Sequence, residues 1–596
     1  MKTLLLCCDT GCRATGSDSV LDALHRAIAE SGAALEVKIK ATGCHGFCSN
    51  GPIVRIMPDD ISYYKVKPAD APDIVASAAS GHPLERLLYR RDDGVRARSQ
   101  TDNPFYTLQR KVALRNVGLI DPADIDEYIQ TGGYRALEKA SRMTPEAIID
   151  EVERSGLRGR GGAGFPTGRK WRQCASYPSH PKYVIVNGDE GDPGAFMDRS
   201  ILEGDPHSVI EGLCVAALAI GAAKGFFYIR DEYASALKRV RYAIHQARER
   251  GYLGCCGDGF DIEVVRGGGA FVCGESTALM ASVEGRGGEP RAKYIRSVQR
   301  GLWDQPTVLN NVETLANIPV ILSEGAERFA SIGTEGSKGT KVFSLVGHAR
   351  RTGLVEAPMG ATLRELIFDI GGGVEKGRAF KAVQTGGPSG GCIPASMLDL
   401  PVDFDSLERH GAMMGSGGMI VMDDRACMVE VARYYTGFLS EESCGKCTPC
   451  REGLRRLLGI LTDICEGCGK PGDTERMREI AETMREASLC GLGKSAANPA
   501  LSTLNYFPEE YDEHIQKGFC RAGICRKLCA FVIDAEACTG CGICKTVCPV
   551  GCVSGDSKRP HMIDPARCVV CGACRDACRV GAVRVCNKSN DRAILE

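Results

Sequence analysis

The chain has 596 residues, 43% of them apolar, with 74 Lys plus Arg against 75 Asp plus Glu. That length leaves room for about four domains with cores of their own, and the balanced charge gives no electrostatic case for nucleic acid. No stretch approaches the ~20 apolar residues of a membrane span, the apolar run after Met1 is too short for a signal peptide, and the 31 cysteines exclude an ordinary composition.

Disulfide-dense scaffolds are small, so cysteines clustered in CxxC-type units of a long chain point to metal in a reducing, cytoplasmic compartment. The first segment, residues 1–85, reads as a small α/β unit. Leu4–Cys7 is a strand. Val20, Leu21, Leu24 and Ile28 recur at helical spacing up to Gly32. Leu35, Val37 and Ile39 alternate, and Ile53–Ile56 is another strand. Cys7, Cys12, Cys44 and Cys48 stand beside these elements as CxxxxC and then CxxxC, four thiolates suited to a [2Fe–2S] cluster. Cys8 competes for the first position, and spacing favours Cys7. A redox dithiol domain would show CxxC instead.

The row Arg90-Arg91-Asp92-Asp93 reads as a solvated linker. A helix over Pro145–Val152 then runs into Gly159-Arg-Gly-Gly-Ala-Gly164-Phe165. Gly159, Gly161 and Gly164 satisfy GxGxxG, but a helix precedes the motif where a dinucleotide-binding fold has a strand. What remains is a glycine loop, Gly162 included, offering bare backbone N–H groups to a phosphate, with Arg160 and Lys170 as charge partners. Asn187-Gly-Asp189-Glu190, Phe271-Val-Cys-Gly274-Glu275 and Asn310-Asn311 follow in order.

Farther on, Val342–Val346 is a strand, Thr362–Ile367 a short helix ending at Gly371, and Gly386–Gly391 a turn cluster. Cys444, Cys447 and Cys450, with the distant Cys490, form the ligand set of one [4Fe–4S] cluster, among leucines at helical spacing. Cys465 and Cys468 form a CxxC that is an incidental pair or a minor zinc or redox site. His514, Cys520, Cys525 and Cys529 match a Cys3His zinc set that would staple the approach to the last domain. There, Cys538, Cys541, Cys544 and Cys548 are followed by Cys568, Cys571, Cys574 and Cys578, the bacterial two-cluster ferredoxin spacing. By that rule Cys578 completes cluster one and Cys548 completes cluster two. A pair of zinc sites would need no such crossing. Pro follows Cys548, but Arg579 follows Cys578. The remaining cysteines, Cys427 and Cys552 among them, read as buried free thiols.

Taken together these motifs resemble the flavin- and NADH-binding subunit of respiratory complex I and its soluble relatives, over nearly the whole chain. The N-terminal segment resembles the thioredoxin-like [2Fe–2S] domain of NADH dehydrogenases and NADH-linked hydrogenases. The added C-terminal ferredoxin looks like the beta subunit of soluble NAD-linked or electron-bifurcating hydrogenases and formate dehydrogenases. The resemblance implies a multidomain α/β and α+β chain. Its parts would be a thioredoxin-like domain to residue 85, an FMN and NAD(H) core over 86–335, and a ubiquitin-like (SLBB-type) β domain over 336–425. A four-helix bundle with [4Fe–4S] over 426–510, a zinc hinge over 511–530 and a two-cluster ferredoxin domain over 531–596 would complete it. It implies FMN on the glycine loop and Asn310/Asn311, with Asn187, Asp189 and Glu275 near its ring. Phe165 would stack on the dinucleotide, Phe271 and Gly274 would line the pocket, and Glu190 and Glu275 would serve the reaction.

In that family hydride passes from NAD(P)H to flavin and single electrons leave through the clusters. The implied partners are a catalytic hydrogenase or formate dehydrogenase subunit, a small thioredoxin-like [2Fe–2S] subunit, and ferredoxin, with bifurcation as a further expectation. Two departures concern the dinucleotide. Ser276 stands where the family usually has a second glutamate, and Tyr294-Ile-Arg-Ser follows Arg291-Ala-Lys293 where the family has a Pro-rich segment. These leave NADH, NADPH and an acceptor other than NAD open, the last as in benzoyl-CoA reductase assemblies. A non-catalytic subunit that only wires clusters together is the reading from another class.

Overall fold

The computed structural model describes residues 1–32, 36–292 and 294–588, so Leu35 and Lys293 lie outside the described residues. The chain divides into two compact units. One comprises Met1–Gly377, Thr385–Gly387 and Ser396–Val421; the other comprises Arg378–Gln384, Pro388–Ala395 and the chain from Met422 onward.

The first unit begins with β1 (Lys2–Cys7), β2 (Val37–Thr42), β3 (Val54–Met57) and β4 (Ile61–Tyr63) in the order β2-β1-β3-β4. The helices Ser17–Ser31 and Ala71–Ser80 pack on this sheet. Leu4, Leu6, Val20, Leu24, Val54, Ile56 and Ile74 fill the space between. Gly32 ends the first helix at φ +70°, a left-handed position that favours glycine. Two short strands follow, β5 (Tyr89–Arg90) and β6 (Arg96–Ala97). The charged row is mostly exposed, as expected, but it is tied down at one residue: Asp92 pairs with Arg350 at 2.8 Å and with the buried Arg351 at 2.6 Å. Those partners lie far along the chain, where local charge pattern has no reach.

The core of this unit is a parallel sheet of β7 (Tyr183–Gly188), β8 (Lys224–Arg230), β9 (Asp261–Gly267) and β10 (Thr307–Asn311), in the order β10-β7-β8-β9. Val184–Val186 and Phe226–Ile229 are buried without alternation, as strands covered on both faces require. The helix Pro206–Ile220 is buried almost all round. The chain steps from β7 to β8 to β9 on one side and returns with β10 on the other. The strand order therefore reverses at β7, and in open α/β sheets the crevice at the carboxyl ends of such strands is where ligands bind.

Antiparallel β11 (Thr340–Gly347) and β12 (Gly353–Pro358) come next, with Gly418–Val421 parallel to β11. The helix expected from Thr362 is a single π-type turn, Glu365–Ile370, and it does end at Gly371. Glu356 on β12 is fully buried, and its carboxylate accepts from the N–H groups of Val112, Ala113 and Leu114, each at 2.9 Å. The β layer is thereby tied to the segment that enters the core.

The second unit holds the helices Met428–Glu442, Thr448–Cys465, Asp473–Ala487 and Asn498–Tyr506, with Leu454, Leu457 and Leu461 on the buried stripe. The helix Pro508–Gln516 follows. In the C-terminal module Cys529–Ile533 pairs with Val583–Asn587, and Val553–Ser554 pairs with Met562–Ile563, both antiparallel. Among the described residues no helix is long and apolar enough to cross a membrane.

Candidate functional site

The glycine loop sits between the helices Pro145–Arg154 and Thr167–Ala175, against the end of β10. It is closed by Gly159 N–H donating to the Phe165 carbonyl at 2.9 Å. A Cβ on Gly161 would stand 2.7 Å from Asn311 Cβ, and one on Gly164, at φ +63°, would meet the Phe404 ring at 2.6 Å. A Cβ on Gly162 would meet nothing within 4 Å. Among the described residues the N–H groups of Gly161, Gly162 and Ala163 have no protein acceptor. Three successive open donors at a strand-order reversal form a concavity suited to a phosphate.

The side chains around this loop divide sharply. Arg160 is not turned to a ligand. Its guanidinium is fully buried and donates to the carbonyls of Thr340 at 3.0 Å, Arg158 at 2.9 Å and Lys338 at 2.5 Å. Lys170 Nζ donates to the Leu309 carbonyl at 2.8 Å. Asn310 accepts from Trp171 Nε1 at 2.9 Å, and Asn311 donates to Asp198 at 2.5 Å. Asn187 donates to the Gly274 carbonyl at 3.0 Å and accepts from Asp189 N–H at 2.9 Å, joining the ends of β7 and of the Phe271–Gly274 turn.

Glu190 is buried and accepts from the N–H groups of Asp198 and Arg199, each at 3.1 Å. Burial holds its carboxyl above the ordinary value. Glu275 caps the helix Ser276–Val283, accepting from Thr277 N–H at 2.8 Å and Ala278 N–H at 3.0 Å. Phe165 keeps an exposed face.

Asp189 and Arg230 meet at 3.5 Å, with the Asp189 side chain 1% exposed and Arg230 Nη1 buried without a hydrogen-bond acceptor. A Cβ on Gly191 would strike that same Nη1 at 2.6 Å and Phe271 at 2.7 Å, so the backbone must pass close there. Arg230 and Asp198 escaped the sequence reading because neither stands in a motif. Lys341 escaped it too, and Glu313 stood in the match over 310–314 without a role. They form a buried ion pair, and Glu313 also accepts from Val342 N–H at 2.9 Å. An open N–H nest, a largely buried arginine with one unmatched Nη1 and bare glycine backbone fit a flavin phosphate and ring.

The thiols gather at several places. In the first unit Cys7 lies against Cys12 and Cys44, and Cys44 against Cys48. Gly46 N–H donates to Cys44 Sγ at 3.3 Å. Cys8 points into the domain core instead, and burial pushes its thiol up to about 11. A Cβ on Gly43 would lie 2.4 Å from Gly204 Cα, so this domain packs backbone to backbone on the flavin-type core. In the second unit Cys447 and Cys490 each precede a helix start, and burial pushes the Cys450 thiol up to about 11, with Cys447, Cys490 and Cys444 near enough to add to it.

The expected quartet of His514, Cys520, Cys525 and Cys529 differs by one thiol. His514, Cys520 and Cys525 converge with Cys427, all four ligand atoms lying within 4.8 Å of one another and all four residues buried. His514 Nε2 is 3.3 Å from Cys525 Sγ and 3.4 Å from Cys427 Sγ. Its Nδ1–H donates to the Glu510 carbonyl at 2.6 Å, which leaves Nε2 for a metal. Cys520 is held far below the ordinary thiol value by hydrogen bonds from its neighbours, Cys427 first. Cys529 lies against Cys520 as well, but it is outside the group of four and donates to the Cys525 carbonyl at 3.1 Å. Cys427 arrives from the start of the helix Met428–Glu442, which spacing around His514 cannot reveal.

Comparisons with known proteins match four segments of the chain, in order. Residues 2–79 match the thioredoxin-like [2Fe–2S] ferredoxin family, and residues 152–320 match the Nuo51 FMN-binding domain. Residues 430–514 match the NADH-ubiquinone oxidoreductase-F iron-sulfur binding region. Residues 531–554 and 561–584 match the 4Fe-4S binding domain. The chain is 52% identical over 457 residues to the NADP-reducing hydrogenase subunit HndC of Solidesulfovibrio fructosivorans, covering 76% of this chain and 93% of the relative. It is 46% identical to an F-type subunit of the NADH-quinone oxidoreductase of Rhizobium meliloti (strain 1021), covering 69% of this chain and 98% of the relative. Among solved structures, the NAD+-reducing [NiFe]-hydrogenase in the H2-reduced state aligns with a TM-score of 0.62 and 29% identity, over 86% of this chain and 84% of that chain.

Proposed function

The chain belongs to the family of FMN- and iron–sulfur-binding NAD(P)-linked oxidoreductase subunits that includes HndC and the F-type subunits of NADH-quinone oxidoreductase, and from that premise we propose how its residues divide the work. The reading is a diaphorase-type subunit: it exchanges hydride with NAD(H) or NADP(H) and passes single electrons through its clusters to a hydrogenase-type catalytic partner. The observation that carries it is the run of open N–H groups at Gly161–Ala163, placed where the strand order reverses.

FMN held there supplies the conversion between a two-electron and a one-electron carrier. The protein's part is position and charge. The glycine loop takes the phosphate. Asn187 and Arg230, at the ends of β7 and β8, would help hold the ring, and Glu275 would set a negative charge at the helix cap beside Gly274. Phe165 offers its exposed face to the dinucleotide. Cys7, Cys12, Cys44 and Cys48 hold a [2Fe–2S] cluster, and Cys444, Cys447, Cys450 and Cys490 hold a [4Fe–4S] cluster. The eight cysteines from Cys538 to Cys578 hold two more [4Fe–4S] clusters, about fourteen iron atoms in all. Cys427, His514, Cys520 and Cys525 would hold a structural, redox-silent zinc ion. Ferredoxin is the proposed partner at the C-terminal module, with bifurcation between it and NAD(P)(H) as the finer reading, and a formate dehydrogenase subunit is the alternative catalytic partner.

The test is anaerobic titration of the purified chain with NADH and with NADPH, following flavin bleaching. One of the two nucleotides should bleach the flavin. Gly161→Ala, whose methyl would collide with Asn311, should lose FMN while keeping its iron. A variant that keeps FMN, or a wild-type flavin that neither nucleotide reduces, would overturn the assignment.

A further inference from the structure

The C-terminal module is a structural repeat, its halves thirty residues apart as Asp534 is from Asp564. The hydrogen bonds repeat with the sequence. Cys538 N–H donates to the Asp534 carbonyl at 3.0 Å, and Cys568 N–H to the Asp564 carbonyl at 3.0 Å. Asp534 N–H donates to the Ala582 carbonyl at 2.8 Å, and Asp564 N–H to the Cys552 carbonyl at 2.8 Å. Cys552 and Ala582 are therefore equivalent positions. Each sends its backbone N–H to the cysteine four residues before it: Cys552 to Cys548 Sγ at 3.3 Å, Ala582 to Cys578 Sγ at 3.2 Å.

The side chains break the equivalence. Ala582 ends at a methyl. Cys552 carries a thiol that is 5% exposed and stands 3.4 Å from Cys548 Sγ, with Cys568 as its other sulfur neighbour. Cys548 and Cys568 are both assigned to cluster two. Once they are bound as thiolates they can only accept, so Cys552, buried among apolar side chains, is the donor. Reduction adds negative charge to the cluster sulfurs, and a hydrogen bond to such a sulfur strengthens as that charge grows.

We propose that Cys552 is a positioning residue for the electron. Its S–H···S bond to Cys548 raises the potential of cluster two above that of its pseudo-symmetric twin, so one electron shared by the pair rests at the Cys568 side. Cluster one, ligated by Cys538, Cys541, Cys544 and Cys578, has only the backbone donor of Ala582 at the matching place. The proposal rests on the two-cluster reading of this module.

The test is a dye-mediated redox titration of the full chain, followed by electron paramagnetic resonance, with iron counted in each sample. Cys552→Ala should move one midpoint downward and leave the others in place at full iron. Cys552→Ser, which keeps a donor, should recover part of that shift. Ala582→Cys should raise a different midpoint, that of the twin. Midpoints unmoved by Cys552→Ala at full iron would overturn the inference and leave the two-cluster reading standing. Loss of a cluster in Cys552→Ala would also overturn it, by making Cys552 a ligand. If the wild-type chain carries too little iron for two clusters in this module, the underlying reading fails instead.

Discussion

The flavin-type pocket and the Cys427–His514 knot are both polar sites inside a folded chain, yet their polar groups are committed differently. In the pocket nearly every charged side chain of the motifs already has a protein partner. Arg160 holds three carbonyls, Glu190 and Glu275 hold helix-start N–H groups, and Glu313 holds Lys341. What is left for a ligand is backbone N–H and a few donors at strand ends. In the knot three thiols and an imidazole crowd together with mostly one another for partners. The pocket is thus shaped by the protein's own bonds, whereas the knot, on the proposed zinc reading, would be held together by its ion. A preorganised site should survive the loss of its ligand, and a site built by its ligand should not.

Breaking the knot is the largest expected effect, because structural zinc supplies of order 10–16 kcal/mol of binding free energy that is also folding free energy. Cys427→Ser should remove one zinc per chain and open the segment around Cys520–Cys529 to limited proteolysis, with iron and flavin retained. Cys529→Ser should keep the zinc. Elemental analysis of the two variants decides between the thiols. Zinc kept by Cys427→Ser and lost by Cys529→Ser would restore the quartet expected from spacing.

The same contrast explains what could be read in advance. Cluster ligands lie within a few residues of one another, since three thiolates must reach one cluster, so Cys444–Cys450 and Cys538–Cys548 announce themselves by spacing. In the N-terminal domain the helix Ser17–Ser31 was visible by its buried face, whereas the short strand Ile61–Tyr63, buried at every position, and the helix Ala71–Ser80 were not read. Cys427 was not visible, since it is brought to His514 by the packing of two helices. Arg160 was misjudged for a related reason. A cation beside a glycine loop looks like a phosphate partner, and only the tertiary structure reveals that Thr340, Arg158 and Lys338 have claimed its donors. Asp92 and Glu356 repeat the pattern, as their partners come from distant segments.

A middle-sized effect tests the pocket's self-sufficiency. Asp192, in the loop after β7, is pushed up to about 6 chiefly by burial, although Ser416 donates to it at 2.5 Å. Its ordinary value is 3.8. The folded state therefore holds this proton more tightly than the unfolded chain. The stability so gained is complete below the unfolded value and disappears as pH rises through the folded one. Compared with Asp192→Asn, the wild type should lose stability from about pH 4 to about pH 6 and change little above that, by at most about 3 kcal/mol because the residue is only partly buried. Anaerobic thermal unfolding of both proteins across that range should show the gap in Tm widening with pH. A gap that stays constant would mean that Asp192 is not the titrating group.

The smallest expected effect separates shape from charge at one residue. Glu275 accepts from Thr277 N–H and Ala278 N–H, so it caps a helix, and its neighbour Gly274 is bonded to Asn187 at the pocket wall. Glu275→Gln keeps an acceptor oxygen for the cap while removing the charge. Glu275→Ala removes both, and loss of an N-cap acceptor costs about 1 kcal/mol. A carboxylate near a flavin ring disfavours its anionic reduced form, so neutralising Glu275 should raise the flavin potential. If charge at the ring is what Glu275 contributes, the two variants should raise the flavin potential alike, and only Glu275→Ala should lower Tm. If the cap is its whole contribution, Glu275→Gln should match the wild type in both measurements. A potential that moves only in Glu275→Ala would then reflect a loosened pocket wall, and the pocket would depend on its side chains more than its dense internal bonding suggests.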